Sequence, residues 1–449
     1  MAPSRSEAYS ISSEPNQIQS TSSAAVSEDA PKGKGVWCRT SEELVQYWEN
    51  RLLSGMKTPW VTRRVDVSSV ALNHPDVRTG APLFVHTLEV DPAGKVLGRT
   101  RGEKPVLVMM PGFACGQAVF FQMFDQLSTA YRVFAIDMLG FGLSARPPFP
   151  DSPDGTAAES LFIDALEAWR ISLGIDRLVV FGHSFGGYIA TCYALRYPQS
   201  VSGLILNDPW GFPSPEPEKA KSRPMWVRVL GRVMLKMNLV SFLQNTGPIG
   251  YNMFRVQRRK RVCTGLDPER ANTILEYLYH HNVCLSAATG AEGFRSILAP
   301  FAFAQRPLLD RIHDLAAHIP VLFVYGDKSW IGSASGEKTK KIRDSNRGGL
   351  TKVMVIEDAG HNVFADQPAA LAAAMMGFVG MLNESRARNP VAPRVAPFPG
   401  CMGQAMTPPI APSLAFSSYT AIAPVNASIS RPRARAGMDP NGFDGLGPR

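Results

Sequence analysis

The chain predicts an α/β fold: a mostly parallel sheet, covered by helices on both faces, with a helical cap inserted between two strands. Three observations predict it. From residue 105 onward, short apolar runs alternate with segments of helical period. In RLVVFGHSFGGYIAT (177–191), a serine between two glycines sits where such a run meets a helix. Residues 211–305 then break the rhythm with a long, basic, helix-prone stretch.

Residues 1–33 are Ser-rich and poor in large apolar side chains, which predicts disorder. This segment has no apolar core of a secretory signal, and its Glu7 and Glu14 argue against a mitochondrial leader. The predicted domain spans 34–384. In it, 105–113 reads as a strand ending in a glycine turn and 121–129 as an amphipathic helix. Residues 131–144 read as a strand ending at Asp137 in a glycine-rich loop, and 159–174 as a helix stopped by Gly174. The serine strand and its helix follow. Strands are expected again at 201–211, 319–327 and 351–361, and a last helix at 368–382. Residues 211–305 form the expected cap. Residues 385–449 hold 11 of the 36 prolines and show no periodicity, so a second disordered segment is expected there. No apolar run is long enough to span a membrane. The 6 cysteines have no paired spacing, which fits free thiols in a reducing compartment and a cytoplasmic protein.

The serine stretch carries the chemistry. Leu178 to Phe181 is a buried-strand run, and Ile189 to Leu195 fits a packed helix. Gly182 and Gly186 remove two Cβ atoms from the sharp turn between them, leaving Ser184 at its apex as a candidate nucleophile. A serine hydroxyl needs a base. His361, at the end of the last expected strand, follows Ser184 in the chain order Ser…His. An oxyanion hole needs two backbone donors, for which Phe185 and Phe113 are the candidates. Pro111 stands where a histidine is expected, but the donor is backbone. The acid is usually found three residues beyond the glycine of 319–327, where this chain has Ser329; Asp327 is near but out of phase. Asp208, closing the strand at 201–211, is the preferred acid and Asp327 the alternative. Nothing in the sequence calls for a metal or a cofactor.

Together the elbow and several longer strings resemble one family. LNDPWGFP (206–213), ILEYLYHHN (274–282), AQRPLLDRI (304–312), YGDKSWIGSASG (325–336) and GHNVFADQP (360–368) are similar to the α/β-hydrolase-domain four/five subfamily. The similarity runs from about Trp37 to Leu382 and includes DMLGFGLS (137–144). The resemblance implies an α/β-hydrolase fold and three roles found in that group: serine lipase on lysophospholipids and N-acyl phospholipids, lysophosphatidate acyltransferase, and lipid-droplet lipase co-activator. The co-activator branch carries Asn at the elbow, whereas this chain has Ser184, so hydrolysis through an acyl-serine is expected. The animal branch's acid position is Gly332 here, which favours Asp208. The family's H-x-x-x-x-D falls on His361 and Asp366. Asp366 is read either as an acyltransfer residue or, before Gln367-Pro368, as a helix cap.

The formal net charge is +9, and 211–305 hold 13 Lys/Arg against 6 Asp/Glu, so most of the excess sits in the expected cap. Arg228, Arg232 and Lys236 recur every four residues beside apolar positions, the pattern of a basic amphipathic helix at a membrane interface. FRVQRRKRV (254–262) is a second basic cluster. No nucleic-acid motif accompanies either one. The expected partners are a lipid substrate, an anionic membrane or lipid-droplet surface holding the protein peripherally, and a partner lipase. Trp37, Trp48 and Trp60 fit either a lipid interface or core packing.

Overall fold

The computed structural model describes residues 40–77, 80–91, 104–214, 243, 246–283, 289–345 and 349–388. Most of the two expected disordered segments, and Trp37, Arg228, Arg232 and Lys236, lie outside the described residues.

An eight-stranded sheet in the order β1-β2-β4-β3-β5-β6-β9-β10 organises the fold. Its strands are β1 (Trp60–Asp66), β2 (Phe84–Val90), β3 (Val106–Met110), β4 (Arg132–Ile136), β5 (Leu178–His183), β6 (Val201–Asn207), β9 (Val321–Gly326) and β10 (Thr351–Ile356). From β4 to β10 all neighbours run parallel; β1 and β2 form an antiparallel hairpin pair, and β2 lies antiparallel to β4. Parallel strands need crossovers, supplied by α2 (Phe121–Leu127), α3 (Thr156–Ser172) and α4 (Phe185–Arg196). β5 is buried along its whole length, as a central strand covered on both faces must be. One buried cluster lies on each face of the sheet: Val180, Leu204 and Phe323 belong to one, while Val179, Ile205 and Leu322 belong to the other. Side chains that alternate along a strand separate into these two cores.

β1, β2 and the helix α1 (Glu42–Leu53) precede everything the sequence reading resolved. They also settle the question raised by two tryptophans. Trp60 opens β1 and is buried in the core, and Trp48 on α1 packs partly buried against the same cluster. Packing, not a lipid interface, accounts for both.

Between β6 and β9 the described residues carry α5 (Gly247–Val262), α6 (Pro268–Val283) and α7 (Thr289–Ile297). A short ribbon, β7 (Leu298–Ala299) with β8 (Phe303–Ala304), returns the chain to the sheet. Beyond β9 come α8 (Ala334–Ser345), then β10, α9 (Val363–Asp366) and α10 (Pro368–Arg388). Among the described residues, no helix is long and apolar enough to cross a membrane.

Candidate active site

The carboxyl ends of β3, β5, β6, β9 and β10 lead into loops holding the sequence-derived candidates, as expected for ligand sites in parallel sheets. Ser184 follows β5 directly and is the N-cap of α4, with φ 52° and ψ −115°. A positive φ at a non-glycine residue is strained, and it persists because neighbours fix it. Here the Ser184 N–H donates to Asn207 O (3.1 Å), and Ser184 O accepts from the N–H groups of Gly187 (3.0 Å) and Trp210 (3.1 Å). The two glycines are demanded by the turn. A Cβ on Gly182 would strike the backbone oxygen of Gly186, and one on Gly186 would lie 2.5 Å from Met110 O and 2.6 Å from Pro111 O.

The loop after β3 passes beside the serine. A Cβ on Gly112 would come within 3.0 Å of Ser184 Cβ and 2.8 Å of His183 Nδ1. Phe113 follows it, and Phe185 opens α4, so the two candidate oxyanion donors flank Ser184. Their rings meet on a third. Phe294 of α7 stacks on Phe113 at 4.5 Å and meets Phe185 at 4.7 Å and Trp210 at 5.2 Å. An aromatic wall therefore stands beside the serine, one ring of it from α7.

Asp208 follows β6 with φ 46° and is fully buried. Its Oδ2 lies 3.7 Å from His361 Nδ1, and neither atom has a hydrogen-bond partner. That separation is contact, slightly beyond a hydrogen bond. Oδ1 accepts from Ser329 Oγ at 2.9 Å, and the Asp208 N–H donates to Val324 O at 2.8 Å. The structure thus brings Asp208 to His361. Asp327 it does not: its Oδ1 accepts from the Ala359 N–H at 3.0 Å, and it stands exposed. That bond, with those from the Asp358 and Lys328 N–H groups, holds the Asp327 carboxyl below its ordinary range.

His361 is also held from beneath. His183 lies buried with its Nε2 3.0 Å from His361 O and its ring 4.8 Å away. An acceptor on Nε2 means that Nε2 carries the hydrogen. Burial, then the nearby His361, pushes the His183 pKa well below the histidine range, so this ring is a neutral donor. On the outer side Trp330, two-thirds exposed at 67%, sits 5.4 Å from the His361 ring.

Asp366 differs from the cap expected for it. It ends α9, and its carboxylate accepts from the Gly360 N–H at 2.8 Å and Thr264 Oγ1 at 2.7 Å. It ties the His361 loop, through Gly360, to Thr264 just past α5, and neither bond reaches the first turn of α10.

The region 105–368 matches the family model described as alpha/beta hydrolase fold. A (lyso)-N-acylphosphatidylethanolamine lipase of Bos taurus is 36% identical over 271 residues, 59% of this chain and 76% of the relative. The 1-acylglycerol-3-phosphate O-acyltransferase ABHD5 of Rattus norvegicus is 37% identical over 270 residues, 59% of this chain and 74% of that one. The chain belongs to the α/β-hydrolase-domain four/five subfamily. Among solved structures, a bacterial membrane phospholipase A is 21% identical with a TM-score of 0.51, over 76% of this chain and 91% of that one, and shares the fold.

This α/β-hydrolase also holds a buried polar network that the sequence reading did not find. His281 of α6 bonds Asp137 beyond β4 (Nε2 to Oδ1, 3.0 Å), both side chains fully inaccessible. Asp137 also accepts from the N–H groups of Gln117 (2.9 Å) and Leu143 (3.0 Å). His86 Nε2 meets Glu49 Oε2 at 2.8 Å, and Gln117 Nε2 donates to Glu49 Oε1 at 3.0 Å. The strings that contain these residues, DMLGFGLS and ILEYLYHHN, were visible, but their pairing across 144 positions was not. Among the described residues no group of three or more His, Cys, Asp or Glu could hold a metal ion.

Proposed function

We propose that this chain is a serine hydrolase of acyl esters in phospholipids or lysophospholipids, working through an acyl-Ser184 intermediate. One observation carries the reading: the buried Asp208 carboxylate faces His361 Nδ1, and neither atom has another partner. A buried carboxylate beside an otherwise unpartnered imidazole nitrogen is the arrangement that orients a base. The strained Ser184 elbow, the aromatic wall and the lipase-named relatives support it.

In this reading Ser184 Oγ attacks the ester carbonyl carbon as His361 Nε2 takes its proton. Asp208 keeps the Nδ1–H side of the ring turned toward itself and stabilises the imidazolium. The Phe113 and Phe185 N–H groups receive the oxyanion. His361 returns the proton to the leaving alcohol oxygen, the lyso product departs, and the acyl group remains on Ser184. Water, deprotonated by His361, then releases the fatty acid and restores the serine. The acyl chain lies along Phe113, Phe185, Trp210 and Phe294, and the protein works peripherally at a lipid surface.

A second reading is favoured by the acyltransferase-named relatives. A lysophosphatidate that replaces water at the acyl-enzyme makes the same pocket an acyltransferase. Asp366 needs no direct part in it, because its two hydrogen bonds tie the His361 loop to the turn after α5. Mass spectrometry of products from N-acylphosphatidylethanolamine, lysophosphatidylcholine and lysophosphatidate, with and without acyl-CoA, tests both. Free fatty acid from wild type and none from Ser184→Ala is expected. Product that forms only with acyl-CoA selects acyltransfer, and no product from any lipid sinks both enzyme readings in favour of a lipase co-activator.

A further inference from the structure

The helix α5 turns apolar side chains outward where a helix on a domain surface usually turns polar ones. Ile249 (71% exposed), Met253 (58%) and Val256 (70%) are three of the seven large apolar side chains exposed among the described residues. Their spacing, four then three, puts them on one face, and Lys260 continues the stripe four residues on. The opposite face is already used. Phe254 is buried against Tyr279 (5.9 Å), Tyr251 packs on the same ring (4.8 Å), and Arg255 pairs with Glu276 of α6. The outward face is therefore not the core side of a misread helix.

Charge says what covers it. The helix has five basic residues and no acidic one. Arg255 is held by Glu276, and Arg258 reaches inward to Ala114 O at 3.5 Å, leaving Arg259, Lys260 and Arg261 exposed at the end of the stripe. An apolar stripe ending in exposed cations, with no carboxylate on the helix, complements an apolar layer under anionic head groups. We infer that α5 docks this protein on an anionic phospholipid surface, with Ile249, Met253 and Val256 entering the interface and Arg259 and Lys260 at its phosphates.

The anchoring of α5 gives the docking a direction. Asn362 Nδ2 donates to Arg261 O at 3.1 Å, Thr264 just past the helix bonds Asp366, and Arg258 touches the loop after Phe113. The helix is fastened to both loops that flank Ser184. A membrane docked on α5 therefore lies next to the loops that flank Ser184; that this brings lipid to the site, though not the docking itself, rests on the hydrolase reading.

The test is co-sedimentation of the full chain with vesicles of phosphatidylcholine alone and of equimolar phosphatidylcholine and phosphatidylserine. Wild type is expected to bind the anionic vesicles and to release as salt rises. Combined Ile249→Ser, Met253→Ser and Val256→Ser should weaken that binding by at least about tenfold. Combined Arg259→Gln and Lys260→Gln should remove most of the salt dependence. Hydrolysis of a short soluble ester, read in parallel, should be unchanged in both variants and shows that they are folded. A serine variant that sediments like wild type overturns the inference, as does wild-type binding that ignores lipid charge. A wild-type dimer that the serine variant turns into a monomer, with vesicle binding intact, overturns it in favour of a second copy on this face. Vesicle binding without any esterase activity leaves the docking standing and removes only the hydrolase reading.

Discussion

Ser329 donates its hydroxyl to Asp208 Oδ1 across 2.9 Å. Ser329 stands three residues beyond the glycine of β9, where an acid is usually found, and here its hydroxyl supports the carboxylate that follows β6 instead. The Ile331 N–H donates to Ser329 Oγ at 3.2 Å and fixes that hydroxyl in turn. One Asp208 oxygen is thereby committed, and the other is left for His361.

Kinetics of variants at these positions should rank them. Asp208→Asn is expected to lower kcat by about 10⁴, the loss seen when a triad acid is neutralised. Ser329→Ala removes one hydrogen bond to a charged group and should cost about tenfold in kcat with KM unchanged. Asp327→Asn should stay near wild type, because Asp327 braces Ala359 and does not meet His361. Joining Ser329→Asp to Asp208→Asn returns a carboxylate to the usual position and should recover part of the activity. A severe Asp327→Asn with a mild Asp208→Asn moves the acid to Asp327.

Two glycine substitutions should separate tight backbone contact from helix propensity. In Gly186→Ala the new methyl would lie 2.5 Å from Met110 O, a backbone atom that cannot swing away, so the elbow must shift. Activity should vanish, and stability should fall by at least the roughly 1–3 kcal/mol of ordinary overpacking. Gly377 lies exposed within α10 with open space at its Cβ position. Gly377→Ala should leave activity alone and stabilise by roughly 0.5–1 kcal/mol. Equal melting temperatures for the two variants would contradict the packing described for the elbow.

Acid should loosen the contact between α6 and the sheet. Burial alone would raise the Asp137 pKa, but His281, by charge and hydrogen bond, and then His86 outweigh it and hold Asp137 at about 2. A carboxyl depressed in the folded state stabilises above its unfolded pKa of about 3.9 and loses that contribution as pH falls toward the folded value. Urea titrations should lose on the order of 2 kcal/mol between roughly pH 4 and pH 2 from this group. His281→Ala leaves the buried carboxylate without its partner and should cost about 3–5 kcal/mol at neutral pH. A variant as stable as wild type would show that the pair does not secure α6.

Much of the site was legible because its signals are local. Strand–helix alternation, the two glycines around Ser184 and the chain order to His361 are readable from adjacent residues. Asp208 was preferred from its place at the end of β6, and the structure brings it to His361. Long-range partnerships were not legible. Ser329 is 121 positions from Asp208, and His281 is 144 from Asp137, and no periodicity encodes such a pairing. The β1–β2 hairpin was missed because its core-facing residues include Thr62, His86 and Glu89, polar side chains that break the apolar signature of a strand. The cap alternative for Asp366 fails because the sequence shows its distance from Pro368 and hides Thr264, which reaches it from 102 residues away.

The central claim is that Ser184 is an activated nucleophile, and labelling with a fluorophosphonate probe tests it most directly. The probe phosphonylates only a serine whose proton a neighbouring base removes. Wild type should label, with the modified peptide mapping to Ser184. Ser184→Ala and His361→Ala should abolish labelling, and Asp208→Asn should slow it. Wild-type protein that stays unlabelled where a known serine hydrolase labels fully, or a label found on any residue other than Ser184, would contradict the account.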